Sequence, residues 1–103
     1  MSETEKDQAF YDMADEFIAL ANQFAKQVDK GKVSAAFLYA AARFNTFVVA
    51  ASANNASELS EYALKAQPYF EGEYKKMLRE HFADYTENFS AYMATESPNK
   101  NLN

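Results

Sequence analysis

VSAAFLYAAARFNTFVVAASA, residues 33–53, carries a single charge, Arg43, and a single amide, Asn45. Its length and apolar content mark a helix. Turned through about 100° per residue, it presents two apolar faces rather than one. Phe37, Phe44, Phe47, Val48 and Ala51 form the larger face, and Leu38, Ala42 and Val49 the smaller. Ser34, Ala41, Asn45 and Ser52 line a narrow strip between them. Arg43 falls on the opposite side, beside Tyr39 and Phe47, with Ala36 and Ala50 one heptad away. A helix apolar on two faces is sandwiched between neighbours, so this segment is expected to be the central element of an all-α fold. Ser34 reads as its N-cap, with Val33 and Leu38 placed as a hydrophobic staple. The preceding GKVS lacks the upstream glycine of a phosphate loop.

Towards the N-terminus, Phe10, Ala14, Phe17, Ala21, Phe24 and Val28 recur at alternating steps of four and three. That spacing predicts a first helix over about 4–28, with Gly31 as a left-handed stop. Beyond residue 53, NNASELSE breaks the pattern and offers Asn55 or Ser57 as a cap. A single apolar line through Leu59, Ala63, Ala66, Phe70, Tyr74, Met77, His81, Tyr85 and Tyr92 predicts a third helix over about 57–93. Pro68 interrupts it: either one long helix kinks there, or a short helix over about 57–66 precedes a longer one over about 69–93, and the apolar line keeps phase across Pro68, which favours the kink. Residues 94–103 read as a frayed tail.

Composition supports this reading. The chain has 103 residues, 49% hydrophobic and 16% aromatic, with two glycines and two prolines, which favours helices joined by short loops. One small domain, residues 1–93, is expected: a compact bundle of three helices. The third helix would outrun the first two, leaving Phe82, Tyr85, Phe89 and Tyr92 on an overhang that cannot all stay wet. Either Pro68 folds the chain back into a four-helix bundle, or a second copy covers the overhang; a homodimer or higher oligomer is the expectation taken.

Charge and residue inventory exclude several functions. The absence of cysteine removes disulfides and thiol chemistry. Fifteen acidic against ten basic residues, net −5, work against binding a phosphate backbone. MSETEKDQ is polar and unlike a secretory leader, which gives cytoplasm as the expected compartment. Arg43 at the midpoint of 33–53 would cost at least ~2.5 kcal/mol in a bilayer, so no membrane span is expected.

FYDMADEFIALAN (10–22), VSAAFLYAAARFNTFVVA (33–50) and YKKMLREHFADYTENF (74–89) resemble a family of small bacterial helical proteins of unknown function. The resemblance implies an all-α, bacterial, cytosolic protein. It brings no catalytic residue with it.

The candidate site residues are few. His81 is the sole histidine; with Asp84 as a neighbour on its face it could act in acid–base chemistry, against a plainer role as a core-edge hydrogen-bonding group. A di-metal carboxylate site in a bundle would want two Glu-x-x-His motifs, and no metal or other cofactor is expected. Arg43 is read first as a structural ion pair fixing helix register, within the chain or across a dimer, with Asp15, Glu73 or Glu80 as partner. Its second reading is an anion site shared with Tyr39, and its third a surface position without consequence. Asn45 is read as a helix-to-helix hydrogen bond. Taken together, the expected function is non-enzymatic self-association or partner binding. The alternative is a small-molecule or anion binder, or an enzyme, with an internal polar pocket around Arg43 and Tyr39 and possibly drawing in His81.

Overall fold

A computed structural model describes residues 5–95 of the chain. All its regular structure is helical: α1 (Gln8–Ala25), α2 (Lys30–Ala51), α3 (Ala56–Glu87) and α4 (Phe89–Thr95). The all-α expectation holds. The ends of the helices differ from the sequence reading, and each difference has a local cause.

The expected start of α1 at Thr4 lies outside the described residues. Residues 5–7 are not helical, and Asp7 caps the helix, its side chain accepting from the Phe10 amide at 2.9 Å. Between α1 and α2, Gly31 is not a left-handed stop, since no glycine among the described residues has a positive φ. It sits in the first turn of α2, which begins three residues before the expected boundary. Asp29 rather than Ser34 caps this helix: its carboxylate accepts from the Lys32 amide at 3.2 Å and its carbonyl from the Val33 amide at 3.1 Å. A Cβ on Gly31 would stand 3.0 Å from that carboxylate oxygen. Glycine is there for close approach, not for backbone handedness.

At the start of α3 the sequence reading is matched. Asn55, in extended backbone, accepts from the Glu58 amide at 2.8 Å, and the Glu58 carboxylate accepts in return from the Asn54 amide at 2.8 Å. This reciprocal pair satisfies two amides at the helix end. The helix then runs unbroken through Pro68. The break falls twenty residues later, at Asn88, and α4 packs back on α3 there.

The chain divides into two units inside α2, between Ala40 and Ala41. In the first unit, α1 and the opening half of α2 are joined by residues 26–29 without packing side by side. Phe17, Phe24, Phe37 and Leu38 are all exposed there. The second unit holds the rest of α2, then α3 and α4. No described residue in either unit is buried. Taken by itself, neither unit shows the expected compact core among these residues. The expectation that α2 is sandwiched between neighbours is not met there either: the opening half of α2 does not pack on α1, and Phe44, Phe47 and Val48 are exposed. An amphipathic pattern marks apolar faces and does not by itself place what covers them.

Candidate functional site

An open groove of about 570 Å³ lies in the second unit. It lies between Val49, near the end of α2, and the first half of α3, where Tyr62, Leu64, Ala66, Tyr69 and Phe70 line it together with Glu61 and Lys65. Its wall is almost wholly apolar, as expected of a surface that receives another apolar surface. Tyr62, in the wall of the groove, has a raised titration. The charge of neighbouring Glu58 raises its phenol above the ordinary 10.0, with burial and a hydrogen bond to the same carboxylate adding to the effect.

None of Arg43, Tyr39, His81, Asn45, Asp15 or Ser34 lines this groove. Tyr39 and Arg43 are neighbours one turn apart on α2, and both are exposed. Arg43 makes no ion pair with a described residue; the ion pair present joins Lys76 to Glu73 at 3.4 Å within α3. Asn45 is half-buried, and no described group hydrogen-bonds its amide. Asp15 and Ser34 are exposed on α1 and α2. His81 is exposed on α3, one turn before Asp84.

Around Asp84 the chain builds a polar knot that sequence reading did not assemble. One carboxylate oxygen accepts from the Asn88 side-chain amide at 2.8 Å, and the other accepts from the Tyr92 hydroxyl. The Asn88 backbone amide donates to the Asp84 carbonyl at 2.9 Å, closing α3, and the Tyr92 amide donates to the Asn88 carbonyl, opening α4. The rings of Tyr85 and Tyr92 stack with centroids 4.1 Å apart and planes 6° from parallel. The hydrogen bond from Tyr92, then that from Asn88, holds the Asp84 carboxyl below its ordinary value; partial burial opposes this, and the His81 charge assists. The available signal was Asp84 and Asn88 at a four-residue spacing, with a poor helix former at the second position. Tyr92 falls outside the reach of any such short-range rule.

α2 is long and apolar enough to cross a membrane by length and composition, with a mean hydropathy of 1.4 over its best eighteen-residue window. Among the described residues no group of three or more acidic or histidine side chains could hold a metal ion.

These features define a small all-helical protein with exposed apolar helix faces and no assembled catalytic constellation among its described residues. Residues 10–86 match the family described as "Protein of unknown function (DUF3144)", and the chain belongs to that family. Its fold is also that of a protein called NB7890A from Shewanella sp., solved by NMR. That protein is 36% identical, with a TM-score of 0.69 over 86% of this chain and 95% of the other. No curated protein matches the chain.

Proposed function

We propose that this protein works by self-association, its helix faces covered by a second copy of the same chain. One observation carries the reading: no described residue is buried, and twenty large apolar side chains are exposed, Leu64 by 77% and Tyr39 by 70%.

A soluble, cytoplasmic protein goes with this reading. Arg43 at the middle of α2 makes that helix a poor span, at a cost of about 2.5–3.5 kcal/mol, and a good interface helix once the guanidinium has a carboxylate. The test is the solution mass by light scattering across a hundredfold range of concentration. Two chains are expected at micromolar concentration. A mass of 11.6 kDa throughout would sink the proposal and mean that a single chain closes on itself.

A further inference from the structure

We propose that the surface of α2 around Arg43 is covered by α1 of a second copy, with Arg43 paired to the acidic cluster Asp12, Asp15 and Glu16 of that copy. This rests on the self-association reading and names the surfaces that do the work.

The charges of the two helices are complementary without exception. Every charge within Gln8–Ala25 is negative, namely Asp12, Asp15 and Glu16; every charge within Lys30–Ala51 is positive, namely Lys30, Lys32 and Arg43. Only Arg43 fits the cluster with α2 engaged along its length. The acids span about 6 Å of helix, while Lys32 lies about 16 Å from Arg43 along α2, so one alignment cannot seat both. Arg43 is also the charge in the most apolar setting, flanked by exposed Tyr39, Phe44 and Phe47. On α1, Asp12 and Glu16 lie on the face away from Phe10, Phe17 and Phe24, and Asp15 stands at its edge, one turn from exposed Tyr11 and Ile18. α2 thus presents one positive charge between Tyr39 and Phe47, and α1 a negative strip edged by Tyr11 and Ile18.

The corner between the two helices supports exchange between chains. α1 and the first half of α2 do not pack on each other in the first unit, so α1 leaves its own apolar face available. Arg43 makes no ion pair with any described residue. A partner helix that covers Tyr39 and Phe44 removes water from the guanidinium, and a buried guanidinium needs a carboxylate. A reciprocal, two-fold arrangement satisfies both copies at once.

Charge reversal with mixing separates this contact from one made inside a chain. One variant carries Arg43→Glu; the other carries Asp12→Lys, Asp15→Lys and Glu16→Lys. Each faces like charge when it pairs with itself, and its dimer dissociation constant is expected to rise roughly 30-fold or more at low ionic strength. Mixed in equal amounts, the two variants restore opposite charges at both contacts, and the two-chain mass returns as a heterodimer in native mass spectrometry. A variant that is unfolded alone but regains helicity on mixing counts as rescued. If wild type is a dimer and both variants dimerise as tightly as it does, self-association stands and this docking is overturned. Docking is equally overturned if mixing fails to rescue. If wild type itself has the mass of one chain, both readings fall.

Discussion

At the residue scale, Asp84 is a group whose chemistry the fold alters. Two donors address its ionised form, so its folded titration lies below the ordinary value of 3.8. A carboxylate shifted down in the folded state stabilises that state above the unfolded value, and the contribution is lost as pH falls through the lowered one. The attachment of α4 is therefore expected to hold at neutral pH and to loosen below pH 3.8, where the Tyr85–Tyr92 stack opens. Carboxyl carbon shifts followed by NMR should show Asp84 titrating below 3.8 in wild type and closer to 3.8 in Tyr92→Phe. A wild-type value at or above 3.8 would remove the knot as the device that holds α4. Other residues were legible in part. Asn55 and Glu58 were readable as a cap because the signal lies within four positions of chain. Arg43 was readable as a lone charge in an apolar helix, but the ion pair expected with Asp15, Glu73 or Glu80 is not made among the described residues, where Arg43 is exposed.

At the scale of the element, boundaries depended on which of two adequate signals won. Ser34 with Val33 and Leu38 is a sound start signal, yet Asp29 lies earlier and its carboxylate finds the Lys32 amide first. Pro68 can stop a helix, but the apolar line keeps phase across it and α3 continues, losing one backbone hydrogen bond where the four-residue ladder would reach Leu64. The two glycines offer a test of these local accounts. A Cβ on Gly72, inside α3, meets nothing within 4 Å, whereas one on Gly31 approaches the Asp29 carboxylate at 3.0 Å. Gly72→Ala is expected to stabilise the protein by about 0.5–1 kcal/mol, through lower entropy of the unfolded chain. Gly31→Ala should gain less or lose stability, because it disturbs the cap. Urea unfolding of both at one protein concentration checks this; equal gains would mean the Asp29 cap is not seated as described.

At the scale of the whole molecule, helical class, helix number near three and the apolar faces were all legible, because periodicity is written in the chain itself. What covers those faces was not, since the same pattern serves a chain that folds on itself and one that needs a copy. Thermodynamics distinguishes the two. On the assembly reading, the thermal midpoint rises with protein concentration, because mass action favours the associated state. A monomeric fold gives a midpoint that does not move. Calorimetry at two concentrations a hundredfold apart is the direct check.

On the assembly reading, that no described residue is buried also bears on how the protein comes into being. Where the interior is shared, acquiring structure is a bimolecular event, and its rate depends on how often two nascent copies meet. A freshly released chain would wait with α2 bare, and at low expression that wait is long enough for proteases or chaperones to reach it first. The cellular level of such a protein would then show a threshold: little accumulates until synthesis outruns capture, and above that point the amount rises steeply.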